Sequence, residues 1–305
     1  MASIWLKFPT NWCHMVKILP VKFLSESTQI SGNVYLPISS AEVKLPGIVL
    51  CQGFAGTKEM LLPAYAEKFA ENGYVVLTFD YRGFGSSGGE PGRLVPKLQI
   101  EDIKNAISFL SSFEKVEADR IGLWGTSYGG ANVIVVASED KRVKCLSVQL
   151  TFGDGERVIT ANMTPDETSK LKDTLLRLRE KKESTGKEMM VPISKILSDE
   201  QSKQFFQEYS DEFPALKAKI PFLTIFETLN YKPENYLKEL QAPILIVGAE
   251  KDLVNPISES YSLYKLAPEP KELMVIDGAT HFEVYKGDYL EQAVDKQLSW
   301  FGKYL

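Results

Sequence analysis

A serine, an aspartate and a histidine, far apart in the chain, are the residues of this sequence whose types could do covalent chemistry together. Ser127 is the centre of Gly125-Thr126-Ser127-Tyr128-Gly129, a G-x-S-x-G pentapeptide. A serine hydroxyl is a weak nucleophile at neutral pH and needs a general base beside it, itself oriented by a third group. The chain has two histidines, His14 and His281. His14 lies in an N-terminal stretch, residues 1–14, that carries no pattern of its own and is expected to be a flexible extension, so His281 in IDGATHF is the candidate base. Asp252 in GAEKDLVNP is the candidate acid. Glu250 is its alternative, and Asp277 is expected to cap the loop before His281. Together the three would perform acyl transfer: Ser127 attacks a carbonyl, His281 takes the serine proton, and Asp252 stabilises the imidazolium.

The pentapeptide alone is a weak signal, because serine and glycine are common; the elements around it give it weight. It follows the apolar run RIGLW and precedes ANVIVVAS, the pattern of strand, sharp turn and buried helix. Such a turn holds the serine in a strained conformation at a strand end, and it places the Tyr128 N–H at the helix N-terminus, where it would face a developing oxyanion. Asp252 follows the strand-like PILIVGA and His281 follows ELMVID, so all three groups are expected at the same edge of one sheet.

The wider chain supplies that sheet. VKILPVKFL and TQISGNVYL alternate apolar and polar residues around a polar turn and predict a hairpin. GIVLC and YVVLTF are the short apolar runs of strands buried on both faces, separated by a helical PAYAEKFAENG. A helix over about 97–112 and strands and helices from PILIVGA onward continue the alternation, which predicts a mainly parallel sheet covered on both faces. Residues 152–240 break the rhythm. Thr164-Pro165-Asp166-Glu167 reads as a capping box with LKDTLLRLREKK as a solvated helix, and Ser198-Asp199-Glu200-Gln201 as a second box before QFFQEY. The segment is expected to be a helical cap inserted into a core made of 15–151 and 241–305.

Length and composition suit this organisation. With 305 residues, 44% hydrophobic and 25% charged, the chain is globular in composition. A net charge of -5 with mixed signs gives no footprint for nucleic acid or an anionic membrane, so a small-molecule substrate is expected. No apolar run approaches the ~20 residues of a membrane span. Three scattered cysteines, Cys13, Cys51 and Cys145, form neither a disulfide framework nor a metal site, and a cytoplasmic setting fits them best.

With these residues assembled, the chain resembles the α/β-hydrolase superfamily from about 17 to 305, in which the order serine, acid, histidine is the usual one. CQGFAGTKEM and FDYRGFGSSGG resemble segments of its Xaa-Pro dipeptidyl-peptidase-like and dienelactone-hydrolase-like branches. The resemblance implies an α/β fold with a mainly parallel eight-stranded sheet, helices on both faces and a helical cap. It further implies that the Phe54 N–H is the second oxyanion donor and that Asp80 and Arg82 brace the elbow. Gln52 stands where relatives carry histidine and becomes a candidate to lend its amide to substrate. No metal or organic cofactor is implied. Carboxylic esters are the implied substrates, with amides, C–C bonds or a non-catalytic binding role as alternatives. The aromatics Phe152, Phe205, Phe206, Phe213, Phe222 and Phe226 suggest an apolar pocket under the cap, and homo-oligomerisation is left open.

Overall fold

The computed structural model describes residues 16–38 and 43–305; the expectations for residues 1–14, including His14 and Cys13, lie outside them. The chain opens with a hairpin of β1 (Val16–Ser25) and β2 (Thr28–Pro37), in register from Val16↔Pro37 to Ser25↔Thr28 around a turn at Glu26, whose φ is +52°. β3 (Leu45–Cys51), α1 (Leu62–Glu71), β4 (Val75–Phe79), α2 (Pro96–Ser111), β5 (Val116–Thr126), α3 (Tyr128–Glu139) and β6 (Val143–Gln149) follow. β4 is buried along its whole length, and β3 past its first residue. That is why their sequences are continuous apolar runs rather than alternations.

The segment expected to form the cap runs next: α4 (Gly155–Thr160), α5 (Pro165–Thr185), the short β7 (Met190–Pro192), α6 (Glu200–Tyr209), β8 (Lys219–Pro221) and α7 (Thr224–Leu229). β9 (Ile244–Ala249), α8 (Ile257–Leu266), β10 (Lys271–Ile276) and α9 (Gly287–Tyr304) then complete the core. The eight core strands form one sheet in the order β1-β2-β4-β3-β5-β6-β9-β10, parallel from β4 to β10 with the hairpin antiparallel at one edge. Two apolar clusters cover its two faces. One gathers α2 and α3 residues such as Ile103, Ile107 and Val133, and the other gathers Tyr65, Phe69, Trp300 and Phe301 from α1 and α9.

Two details of the cap differ from expectation. It is not wholly helical, since β7 and β8 pair antiparallel as a two-stranded ribbon. And the helix expected to start from a box at Ser198 is capped instead by Asp199, whose carboxylate accepts the Ser202 N–H at 2.9 Å and the Ser202 hydroxyl at 2.5 Å. A carboxylate one residue later competes successfully for the N3 donor, and Gln201 falls at N2, free of any capping duty. The first box is as expected: Thr164 and Glu167 cap each other, Pro165 opens α5 and Gly186 closes it at φ +68°. Only Leu175 of α5 is buried, so its lysines and arginines form a solvated face.

Candidate active site

The elbow is built by backbone conflict. Ser127 has φ +52° and ψ -121°, in the region that disfavours any side chain, and its N–H donates to the Gln149 carbonyl at 2.9 Å while its carbonyl accepts the Thr151 hydroxyl at 2.7 Å. The turn is tight enough that its glycines are obligatory: a Cβ on Gly129 would lie 2.2 Å from the Cys51 carbonyl oxygen, and one on Gly125 would lie 2.6 Å from that of Gly129. α3 begins directly after Ser127, and its first ten residues, Tyr128 to Ala137, are all buried.

Asp252 and His281 meet at the ends of β9 and β10. The His281 Nδ1 lies 2.7 Å from the Asp252 Oδ2, and both side chains are almost fully buried. Asp252 Oδ1 accepts the N–H groups of Val254 and Asn255 from its own loop, each at 2.8 Å, which fixes the carboxylate plane. Glu250, the alternative acid, instead accepts the Gly278 N–H at 2.7 Å. The loop bonds expected of Asp277 are made by Glu283, which takes the Thr280 N–H and hydroxyl. From below, the Tyr65 hydroxyl donates to the Val284 carbonyl, and Tyr285 bonds the Thr126 hydroxyl beside the elbow. The histidine loop is thereby fixed to both α1 and β5.

Ser127, His281, Gln52 and Phe54 line one cavity of about 50 Å³, together with Met60, Phe205, Phe206, Leu216 and Phe282. Among the described residues the N–H groups of Phe54 and Tyr128 have no protein acceptor. The loop after β3 approaches the elbow so closely that a Cβ on Gly53 would sit 3.1 Å from the Ser127 Cβ.

Gln52 has no amide to spare for a substrate. Its Nε2 donates to the carbonyls of Thr57 and Met60 at 3.0 and 2.5 Å, and its Oε1 accepts the Gly53 N–H at 2.8 Å, so it shapes the loop after β3 from within. Asp80 holds the other side of that loop through the Lys58 N–H and ammonium, both at 2.7 Å. Arg82 does not reach the elbow; it pairs with Asp102 of α2 and Glu26 of the first hairpin. Burial pushes the Cys51 thiol far above its usual range, which leaves it no nucleophilic role at neutral pH.

Of the aromatics expected in the pocket, Phe205 and Phe206 line it. Phe213 packs behind them, Phe222 and Phe226 join Leu175 and Leu223 in a separate cap cluster, and Phe152 packs on Tyr128 and Tyr231. Two contributors were not anticipated. Phe282, next to the histidine, stacks on Phe205 with centroids 4.2 Å apart and planes 8° apart. Asn255, three residues past Asp252, donates its amide to the Ser127 Oγ at 3.3 Å and to the Leu150 carbonyl at 2.7 Å. Its place in the same short loop as the acid was the only available signal.

A strained serine between strand and buried helix, on a sheet of this strand order, defines an α/β-hydrolase. Within that class the chain belongs to the X-Pro dipeptidyl-peptidase (S15) family, which matches residues 26–283. It is 44% identical over 269 residues to an uncharacterized 31.7 kDa protein from the traX-finO intergenic region of Escherichia coli, covering 88% of this chain and 94% of that one. It is 32% identical over 291 residues to the quorum-quenching protein AidA of Acinetobacter baumannii, covering 92% and 93%. Among solved structures, the hypothetical protein PA2218 of Pseudomonas aeruginosa shares its fold with a TM-score of 0.83 at 24% identity, covering 99% of this chain and all of that one.

Proposed function

We propose that the protein is a serine hydrolase that cleaves carboxylic esters of small, partly apolar substrates through an acyl-enzyme. The observation that carries this reading is Ser127, strained at a strand end, lining the same cavity as a His281 whose Nδ1 is held 2.7 Å from Asp252. Ser127 Oγ attacks the ester carbonyl and its proton passes to His281. The C–O bond breaks and the alcohol leaves with that proton. Water then attacks the acyl-enzyme, giving one proton to His281, which returns it to Ser127 as the acid departs. The N–H groups of Phe54 and Tyr128 carry the oxyanion in both halves, each worth on the order of 10²- to 10³-fold in rate.

The cavity walls favour esters over the dipeptides of the family's name. An X-Pro dipeptidyl substrate brings a free ammonium, which needs a carboxylate to receive it on leaving water. Among the described residues, His281 is the one ionisable group beyond tyrosine on the walls, and no aspartate or glutamate lines the cavity. The 32% identical relative, by its name a quorum-quenching protein, fits a small-molecule substrate. Short- and medium-chain p-nitrophenyl esters, matched anilides and an X-Pro anilide, assayed with wild type and Ser127→Ala, test the proposal. Ester turnover should dominate and fall about 10⁶-fold in Ser127→Ala. Faster cleavage of the X-Pro anilide, or activity surviving in Ser127→Ala, would reject it.

A further inference from the structure

Helix α6 presents one face to the histidine loop. Gln201, Phe205 and Tyr209 are four residues apart in turn and so lie above one another. The Gln201 Oε1 accepts the His281 N–H at 3.3 Å and the Leu253 N–H at 3.1 Å, while its Nε2 donates to the Lys251 carbonyl at 2.6 Å. Phe205 stacks on Phe282, and the Tyr209 hydroxyl accepts the Lys286 ammonium at 3.3 Å. One side-chain amide of the cap therefore bonds the backbone on both sides of Asp252 and at His281 itself. Two turns of the same helix hold the rest of the histidine loop.

The same helix is a wall of the cavity. Phe205 and Phe206 line it beside Ser127, and Phe205 packs with Met60 of the oxyanion loop and Leu216. The free volume, about 50 Å³, is well below the ~300 Å³ at the lower end of ordinary ligand sites. A long group that extends along the α6 wall displaces Phe205, and Gln201 is one helical turn away on the same element.

From this we infer that Gln201 is a positioning residue for the Asp252–His281 pair, that the cavity beside Ser127 takes the acyl group, and that through Gln201 α6 converts fit in that cavity into turnover. A short acyl group leaves the helix seated and the pair aligned. A long one gains apolar contact but lifts α6, draws Gln201 off the two catalytic loops and slows the chemistry, so acyl-length selectivity appears in kcat rather than KM. This rests on the serine-esterase reading above.

The test uses p-nitrophenyl acetate, butyrate, octanoate and laurate with wild type, Gln201→Met and Gln201→Glu, with active sites counted by fluorophosphonate labelling of Ser127. In wild type, kcat should fall from butyrate to laurate while KM keeps falling. Gln201→Met should lose about ten- to hundredfold in kcat on the short esters, a cost typical of misplaced catalytic groups, and lose the chain-length dependence of kcat while keeping that of KM. Gln201→Glu keeps the acceptor for both N–H groups but sets a carboxylate oxygen against the Lys251 carbonyl, so it should recover only part of the short-ester rate. Its carboxylate beside His281 favours the imidazolium, so its acid limb in kcat/KM should move to higher pH. Gln201→Met with wild-type kcat, or with the wild-type chain-length dependence, overturns the inference; so does Gln201→Glu with an unmoved acid limb, which serves alone if Gln201→Met fails to fold. A wild type that fluorophosphonate does not label would instead sink the serine-esterase reading, which separates the two failures.

Discussion

Replacing Asp252 with asparagine should abolish turnover without disturbing the fold, and the hydrogen bonds of the loop say why. Asp252 Oδ1 accepts two backbone N–H groups, from Val254 and Asn255, and Oδ2 faces the His281 Nδ1 at 2.7 Å. An asparagine can put either its oxygen or its amino group at the Oδ1 position. An amino group there would face two N–H donors in a buried site, so the oxygen must occupy it and the amino group must point at His281. A donor facing Nδ1 forces that nitrogen to be the acceptor and moves the imidazole proton to Nε2, the nitrogen that must take the Ser127 proton. The base is then already protonated where it should accept. The same exchange in a serine protease triad lowers kcat by about 10⁴-fold, or about 5 kcal/mol of barrier, and a loss of that order is expected here. The assay is kcat on p-nitrophenyl butyrate at neutral pH, with thermal melting to show that the fold persists. An Asp252→Asn enzyme keeping more than about a tenth of wild-type kcat would refute the tautomer argument, since that argument requires a loss of orders of magnitude.

Asn255→Asp is isosteric but has no donor for the Ser127 Oγ or the Leu150 carbonyl, and its carboxylate would face both oxygens; kcat/KM should fall up to about 10²-fold, and an unchanged value would remove Asn255 from the site. Gly129→Ala places a Cβ 2.2 and 2.4 Å from the carbonyl oxygens of Cys51 and Gln52, which are backbone and cannot turn aside, so its unfolding free energy from urea denaturation should drop by more than the ~1–3 kcal/mol of ordinary overpacking. Glu156, bonded by Lys172 and Lys232, has its carboxyl lowered from 4.5 to about 2. Its folded-state value is below the unfolded one, so its stabilisation is present above 4.5 and lost as pH falls toward 2. Denaturant curves of wild type and Glu156→Gln should converge over that window from a gap that solvent screening limits to about 1 kcal/mol, and a pH-independent gap would contradict the pairing.

The core was readable because its strands obey one rule each. A strand buried on both faces must be a continuous apolar run, as GIVLC and YVVLTF are, and a hairpin exposed on one face must alternate. The elbow was readable for a different reason: a serine at φ +52° with carbonyls within 3 Å of where a Cβ would be leaves only glycine at Gly125 and Gly129, so the strain is written into neighbouring residues. Neither rule reaches a loop that is held by side-chain hydrogen bonds. Nothing local tells that the Gln52 amide is consumed by Thr57 and Met60, or that Arg82 turns to Asp102 and the first hairpin. Choosing between Glu250 and Asp252 likewise depends on which carboxylate the strand end aims at His281, a matter of backbone direction rather than residue type.

The cap shows how small a local difference can hide a contact of this kind. Ser198 and Gln201 have the spacing of a capping box, and a Gln201 engaged there would have been a local residue with no reach beyond its own helix. Asp199 caps the helix instead, because a carboxylate is the stronger acceptor for the orphan N–H groups and their positive end of the dipole. That single-residue shift places Gln201 at N2, where its side chain is released to bond Lys251, Leu253 and His281. The choice of cap thus decides whether the Gln201 side chain is spent at the helix end or free for the loops that carry Asp252 and His281, and competition between neighbouring caps is a difference of about 1 kcal/mol that sequence patterning alone does not resolve.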